Sequence, residues 1–335
     1  MKNFVMPKPI WLSLAMVLAL SWTLAVSPAL AQVPGVPFEL PGPPEKKEEC
    51  PSTFGPIITD TAIPIEKGKL AIQPTFGLSF VTNNFSPSWR RVSAGGNFQS
   101  FNMSWKFTYG LINNLEVYTV IPFIANWCSN VNEPGPNGER GARFQGFGDL
   151  SFTLKYRLVE ETEKLPTVSA VFTPTFPTGH YQRINPGRLG MDILGGGAYA
   201  FTTGFNLSKW VKPFIFYGNV WYTMQTAFTT RGEDEEGNSV NIRNYPRDFV
   251  TLNLAAEYPI IGKWVALLEL TSTWDGGRLF GHKANVLPAA LLSLSPQLQY
   301  MATDKFSLAL GVNFDLVGKN TTANITPLLS AVYAF

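Results

Sequence analysis

The last stretch of the chain, Asn324-Ile325-Thr326-Pro327-Leu328-Leu329-Ser330-Ala331-Val332-Tyr333-Ala334-Phe335, decides the fold. Counted back from Phe335, every second residue is apolar: Tyr333, Ala331, Leu329, Pro327 and Ile325. The residues between them are mixed and partly polar. A two-residue period predicts a β-strand with one apolar and one wetter face. A half-buried edge strand of a soluble protein would show the same pattern, so the rest of the chain must distinguish the two.

A strand that ends on Phe335, with Tyr333 two places before it, resembles the closing strand of a bacterial outer-membrane β-barrel. Barrels of this kind carry such an ending as the signal that the barrel-assembly machinery reads. The resemblance implies that Tyr333 and Phe335 form an assembly signal and that the assembly machinery is a partner.

The N-terminal 31 residues predict a cleaved signal peptide. Lys2 and Lys8 precede an apolar run over residues 10–26, and Ala29-Leu30-Ala31 is a small-x-small cleavage site. The alternative is a retained helical anchor. Without its two lysines, the 26 basic residues of the chain become 24, equal to the 24 acidic ones. A net charge of zero gives no general attraction to nucleic acid, so no nucleic-acid partner is expected.

The composition after the signal peptide favours a membrane protein that is all β. The full chain is 45% hydrophobic and 13% aromatic, yet after residue 31 it lacks an uncharged apolar run of the roughly 20 residues that a spanning helix needs. Every backbone amide must be paired in hydrocarbon, so the remaining way to span is a closed barrel. Cys50 and Cys128 are far apart, and the sequence leaves open whether they form a disulfide.

Residues 32–67 predict a proline-rich periplasmic leader. Prolines are dense over residues 33–44, and a charge cluster follows over residues 45–49. Such a composition forms no packed core, which favours a flexible arm. The alternative is an arm that folds into the barrel mouth as a plug or gate.

From residue 68 to residue 335 the pattern predicts an antiparallel up-and-down barrel of about twelve strands. Apolar and polar residues alternate most clearly over residues 101–109. An even number of strands is typical of a single-chain outer-membrane barrel. The predicted strands cover residues 70–80, 101–109, 115–124, 150–158, 166–176, 190–203, 213–224, 249–258, 264–274, 289–300, 306–316 and 323–335.

The predicted connections alternate between long and short. The long polar ones are 83–98, 125–145, 177–189, 225–248 and 275–288. The short ones are 110–114, 159–165, 204–212, 259–263 and 301–305. Long outer loops and short periplasmic turns are the asymmetry of membrane barrels, and the final short link, 317–320, is the exception. Aromatic residues near both sets of strand ends predict two interfacial belts, with Tyr109, Tyr258, Trp264 and Tyr300 in one and Phe80, Phe176 and Trp274 in the other.

Several stretches resemble the outer-membrane transporter family of the meta-cleavage phenol-degradation pathway. They are Thr59-Asp60-Thr61-Ala62, Gly68-Lys69-Leu70, Gly146-Phe147-Gly148-Asp149-Leu150 with Lys155-Tyr156-Arg157-Leu158, and Pro174-Thr175-Phe176-Pro177-Thr178-Gly179. The resemblance runs from about residue 55 to residue 335. It implies a pore or carrier for small apolar or aromatic molecules. It does not identify particular catalytic or binding residues in this chain.

If the apolar faces of the strands contact lipid, the alternate residues line the lumen. Arg or Lys at mid-bilayer costs about 2–4 kcal/mol on the lipid face, which excludes charged residues from that side. Across the 110–114 hairpin we expect Lys106 to pair with Glu116. Glu257 and Glu269 are expected to approach each other, or to pair with Lys155 or Arg157. The predicted charged lumen residues are Lys106, Glu116, Asp149, Lys155, Arg157, Asp192, Glu257, Glu269 and Asp315.

The strand over residues 213–224 is aromatic on both faces. With Tyr118, the inward residues Tyr217 and Trp221 are interpreted either as an apolar slide for a ring-shaped or hydrocarbon solute, or as packing that fills the barrel.

Nothing in the sequence predicts catalysis. His180 and His282 lie in predicted outer loops without a recognisable nucleophile motif. The acidic run over residues 233–236 is interpreted as a solvated loop tip, or else as a divalent-cation site. Gly195-Gly196-Gly197 is expected to ease curvature within a strand. We therefore expect no enzyme activity, no catalytic, cofactor or metal site, and no cofactor.

The sequence thus predicts a monomeric outer-membrane barrel that passes small apolar or aromatic solutes by diffusion. Its other partners would be outer-membrane lipid and lipopolysaccharide. The alternative is a closed structural or adhesion barrel, because side chains nearly fill a barrel of this size.

Overall fold

The computed structural model describes residues 53–233, 239–280 and 283–335, and most of this backbone lies in long antiparallel strands. The predicted signal peptide, residues 32–52 with Cys50, residues 234–236 of the acidic run, and His282 lie outside the described residues. The twelve long strands are β1 (Leu70–Phe85), β2 (Asn97–Ile112), β3 (Leu115–Ser129), β4 (Leu150–Val159), β5 (Thr167–Phe176), β6 (Ala200–Val211), β7 (Phe214–Gln225), β8 (Phe249–Ile261), β9 (Trp264–Asp275), β10 (Ala289–Thr303), β11 (Phe306–Lys319) and β12 (Thr321–Ala334).

The strands form a closed barrel. Each pairs with its neighbours in the sequence, and β12 pairs with β1 to complete the ring, with Ala71 opposite Ala334 and Phe80 opposite Ile325. Closure leaves no unpaired edge, which is the condition for a sheet to cross a membrane. The predicted fold class and strand number are confirmed.

Along the strands, exposed apolar residues on the outside alternate with buried polar residues on the inside, as in a membrane barrel. In β8, Leu252 and Leu254 are exposed on the outside, whereas Asn253 and Glu257 are buried inside. Serine and glutamine residues face inward in the same way along β10. An apolar exterior around a polar interior identifies an outer-membrane β-barrel. No helix among the described residues is long and apolar enough to cross a membrane.

One end of the barrel carries short turns and the other carries long loops. The turns are 113–114, 160–166, 212–213, 262–263 and 304–305, and the loops are 86–96, 130–149, 177–199, 226–248 and 276–288. Asn320 alone links β11 to β12 at the long-loop end. The predicted alternation is therefore present, and it places the short turns on the periplasmic side.

The long loops contain structure of their own. Arg91–Val92 pairs with β1, and Ala142–Phe147 pairs with the outer half of β3. A separate small sheet joins Phe228–Glu233, Ser239–Pro246, Arg278–Phe280 and Lys283–Val286.

Aromatic side chains meet at both ends of the wall. Trp264 lies 4.8 Å from Tyr300 between ring centroids at the periplasmic end. Trp89 and Trp274 are 6.2 Å apart at the outer end. Amphipathic rings favour the headgroup level of a bilayer, so these pairs agree with the two predicted belts.

The sixth strand is the main correction to the sequence prediction. It covers residues 200–211 rather than 190–203, so the preceding loop is longer and the following turn is only two residues. Gly195-Gly196-Gly197 lies in that loop and not in the wall. Gly197 has φ +77°, a conformation that favours glycine and interrupts a strand.

The chain enters the barrel at the periplasmic rim across Gly110. Gly68 N donates to Gly110 O at 2.8 Å, and Gly110 N donates to Lys69 O at 3.0 Å. A Cβ at Gly110 would lie 2.1 Å from Glu66 O, so only glycine allows this crossing. The crossing fixes residues 66–69 to the end of β2.

We expect Leu254→Arg to lower the free energy of unfolding by about 2–4 kcal/mol, because it places a charge at mid-strand on the lipid face. Ile261→Arg, at the periplasmic end of the same strand, is the matched control and should cost about 0–1 kcal/mol. Urea unfolding in lipid vesicles measures both. Equal losses would contradict the assignment of the membrane band.

Candidate functional site

The interior of the barrel is occupied by residues 53–67, which we call the inner segment. Thr59, Asp60 and Ala62 in its centre are buried. Its hydrogen bonds reach side chains from strands on most of the barrel circumference. The prediction of a flexible arm outside the barrel is therefore wrong for residues 53–67, and the alternative of an arm that folds into the barrel describes them.

Asp60 is the charged centre of the inner segment. Its Oδ1 lies 3.0 Å from Lys106 Nζ of β2, and its Oδ2 lies 3.2 Å from Lys155 Nζ of β4. Asn206 of β6 donates to Oδ2 at 2.8 Å. Lys155 also pairs with Glu116 of β3 at 2.8 Å, so two lysines and two carboxylates form one chain of ion pairs.

The inner segment, and not the wall, supplies the carboxylate that both lysines share. Lys155 is 1% exposed, and a buried charge is costly unless it is paired. Burial opposes ionisation of Asp60, but the charges of Lys106 and Lys155 outweigh it and hold the pKa of this carboxyl well below its usual range. Asp60 is therefore ionised at neutral pH.

On the opposite side of the lumen, a wall carboxylate receives the backbone of the inner segment. Ile57 N and Ile58 N donate to Glu269 Oε1, each at 3.0 Å, and Thr59 N donates to Oε2 at 2.5 Å. Gln297 Nε2 also donates to Oε1. Successive amide N–H groups that converge on one anion form a nest, a strong anion-binding arrangement.

Other side chains of the wall, most of them neutral, pair with the rest of the segment. Asn219 exchanges two hydrogen bonds with the backbone of Asp60, at 2.9 and 2.8 Å. Ala62 N donates to Ser208 Oγ at 2.9 Å, Ser169 Oγ donates to Ala62 O, and Ile65 N donates to Glu116 Oε2 at 2.6 Å. Inward side chains thus satisfy backbone groups that would otherwise be buried without partners.

A cavity of about 240 Å³ remains between the inner segment and strands β1 to β3. Of the described residues that line it, only Lys106 and Asp60 are charged. Tyr118, Val120, Trp221, Ile57 and Ile58 supply aromatic and aliphatic walls.

The charged residues of the lumen do not form the predicted pairs, and each has a different partner. Lys106 and Glu116 do not pair, because the register sets Glu116 opposite Gly110 and Lys106 opposite Val120. Glu257 accepts from Tyr217 Oη at 2.8 Å, and Glu269 binds the inner segment, so neither pairs with Lys155 or Arg157.

The three predicted aromatic residues face inward but do not form one continuous slide. Tyr118 and Trp221 line the cavity, whereas Tyr217 packs with Ile215 and Ala255 in a small core. Trp221 Nε1 donates to Asn206 Oδ1 at 2.9 Å, and Lys106 Nζ lies 4.1 Å from the centroid of the Tyr118 ring.

Four predicted lumen residues lie away from this cluster. Arg157 binds Asn114 Oδ1 at the periplasmic rim, with its shorter contact at 2.7 Å. Asp315 accepts from Ser293 Oγ at 2.7 Å in the outer half of the barrel. Asp149 and Asp192 are not strand residues, since both lie in long loops.

Those two aspartates order the outer loops. Asp149 accepts from Gly179 N and Gly196 N, at 2.9 and 2.7 Å, and so closes loop 177–199. The buried Asp192 accepts from Asn185 N at 2.8 Å, and its backbone oxygen lies 2.8 Å from His180 Nδ1. His180 therefore has a partner within its own loop, and its ring packs on Phe144.

The sequence prediction missed the neutral residues that hold the inner segment: Ser169, Asn206, Ser208, Asn219 and Gln297. The sequence feature that could have identified them is an amide or hydroxyl side chain at the inward positions of successive strands. The motif Thr59-Asp60-Thr61-Ala62 carries no local signal of its role, because its partners are 46 to 210 residues away along the chain.

Comparisons with known proteins agree with the barrel. A sequence model of the family described as "Putative MetA-pathway of phenol degradation" matches residues 127–326. No curated protein matches in a sequence search.

Among solved structures, the fold is similar to that of an outer-membrane channel from Pseudomonas putida F1, with a TM-score of 0.65, 17% identity and coverage of 82% of this chain and 98% of the other. The translocator domain of the autotransporter NalP from Neisseria meningitidis gives a TM-score of 0.46 at 13% identity, covering 81% and 90%. The CymD monoaromatic hydrocarbon channel gives 0.40 at 12% identity, covering 81% and 89%. At such identities the likeness concerns the fold alone.

Replacing Glu269 by alanine should loosen the inner segment without opening the wall. Hydrogen bonds to a charged group contribute about 1.5–3 kcal/mol, so amide exchange at residues 57–62 should accelerate at least about tenfold. Hydrogen-exchange mass spectrometry of the barrel in detergent measures it. Glu160→Ala, which removes an exposed carboxylate from a periplasmic turn, is the control and should change nothing there. Unchanged protection in Glu269→Ala would show that the nest does not hold the segment.

Proposed function

Because the chain belongs to the family described as "Putative MetA-pathway of phenol degradation", we propose that it is a passive outer-membrane channel for small apolar or aromatic solutes, closed at rest by the inner segment. The observation that carries this proposal is that the lumen is filled by a segment held through side chains of the wall. A permanently filled barrel would more simply be packed by its own wall residues.

The wall does not depend on the inner segment for its own closure. All twelve strands pair with one another, including β1 with β12. Displacement of residues 53–67 therefore leaves the backbone pairing of the barrel intact. Water that enters the lumen can replace the hydrogen bonds that the inner segment loses.

The lining supports a preference for compact solutes with an aromatic or apolar surface. Tyr118 and Trp221 face the cavity together with Val120. Binding sites for small molecules are mostly apolar and aromatic, with a few polar groups that fix orientation. The description of the family is consistent with such solutes, and passage by diffusion requires no cofactor.

Asp60→Ala tests the channel directly. Removing one partner of a buried ion pair costs about 3–5 kcal/mol, which here destabilises the closed state because Lys106 loses its carboxylate and Lys155 keeps only Glu116. We expect the open fraction to rise about 100-fold or more. Single-channel conductance in planar bilayers and swelling of liposomes in uncharged monocyclic solutes measure the change.

Asp304→Ala is the matched control, since it removes an exposed aspartate from the turn between β10 and β11. It should conduct like the unmodified chain. If Asp60→Ala folds into a barrel that neither conducts nor swells liposomes, the channel proposal fails, and the closed structural or adhesion barrel is supported instead.

A further inference from the structure

The cavity beside the inner segment has the size of a site for one small ring. Its volume is about 240 Å³, and it lies between Ile57 and Ile58 on one side and Tyr118 and Val120 on the other. Pockets for drug-sized ligands hold about 300–1,000 Å³, so this cavity selects smaller molecules. The aromatic and aliphatic part of the lining favours a flat apolar body, and Gln73, Thr75 and Ser104 add polar groups to the wall.

The basic residue among the described residues that line this cavity is Lys106, and part of its surface is accessible. The side chain of Lys106 is 24% exposed, compared with 1% for Lys155. Its Nζ lies over the ring of Tyr118 and 3.0 Å from Asp60 Oδ1. Lys106 and Asp60 are the charged residues among the described residues that line the cavity, so a ligand with one negative charge can bind this cation by replacing the Asp60 carboxylate.

We propose that this cavity binds a monocyclic aromatic solute with one acidic group, and that the bound acid takes the place of Asp60 at Lys106. The proposal rests on the channel function proposed above, and it specifies both a substrate class and a release mechanism. The ring lies against Tyr118 and Trp221, and the acid accepts a hydrogen bond from Lys106 Nζ.

Such a ligand weakens the hold on the inner segment because its acidic group competes with Asp60 for Lys106. Asp60 keeps Lys155 and Asn206 when Lys106 is taken away, so the segment is weakened rather than expelled. Thermodynamic linkage requires the reverse effect as well: a chain whose inner segment is already loosened binds the solute more tightly. The solute that is to pass would thus promote its own passage.

The test uses the full barrel in detergent and three probes. Benzoate has a ring and an acid, benzyl alcohol has the ring without the charge, and acetate has the acid without the ring. Isothermal titration calorimetry should show benzoate binding at least tenfold more tightly than either of the others. Benzoate, and neither comparator, should accelerate amide exchange at residues 57–62.

Two variants separate the cavity from the ion pair. Val120→Phe fills the cavity without touching Asp60, and it should abolish benzoate binding while amide exchange stays as in the unmodified chain. Lys106→Met should remove the preference for benzoate over benzyl alcohol. Lys209→Met, which removes a lysine that binds Glu161 at the periplasmic rim, is the control and should bind benzoate normally.

Equal affinities for benzoate and benzyl alcohol would overturn the acidic substrate class, and normal benzoate binding by Val120→Phe would overturn the location. Binding without faster exchange at residues 57–62 would overturn the release mechanism. If Asp60→Ala conducts and benzoate does not bind, this inference fails alone. If benzoate binds and Asp60→Ala stays closed, the channel function fails instead.

Discussion

The interior of this barrel depends on the pairing of Asp60 with Lys106 and Lys155. The wall places two cations on neighbouring inward positions with a single nearby wall carboxylate, Glu116, and the second negative charge comes from the inner segment. In a low-dielectric interior an unpaired charge is strongly unfavourable, whereas a satisfied network holds one arrangement. The position of residues 53–67 follows from this charge requirement, and the neutral hydrogen bonds then set their register.

On the opposite side of the lumen, the wall supplies the anion and the inner segment supplies the hydrogen-bond donors. There the wall contributes the anion, Glu269, and the inner segment contributes its backbone amides. Pro56, Ala62 and Pro64 of the segment are buried as well, but charge-assisted hydrogen bonds hold the segment at both sides of the lumen. This distinguishes it from a hydrophobic core, since polar contacts can be exchanged for water at small net cost while apolar burial cannot.

Most of the wall could be predicted from the sequence, because a two-residue period is a local property and the lipid enforces it along each strand. Eleven strands lie where the alternation of apolar and polar residues places them. The sixth strand differs from its predicted position because glycines over residues 190–197 hide the absence of alternation. Lys209, on the outward face at the periplasmic rim, breaks the alternation within the observed strand. The inner segment was not predictable in this way. Its contacts join Asp60 to residues 46 and 95 positions away, and no local period encodes them.

The crossing at Gly110 gives the inner segment a permanent attachment. Residues 66–69 are fixed to the end of β2, at the point where the chain leaves the lumen, so a displaced segment remains tethered at the rim. Reclosure is then an intramolecular event. For a short flexible tether the effective concentration of the free end is in the millimolar range, whatever the amount of protein in the membrane. The tether therefore makes reclosure independent of protein concentration in the membrane.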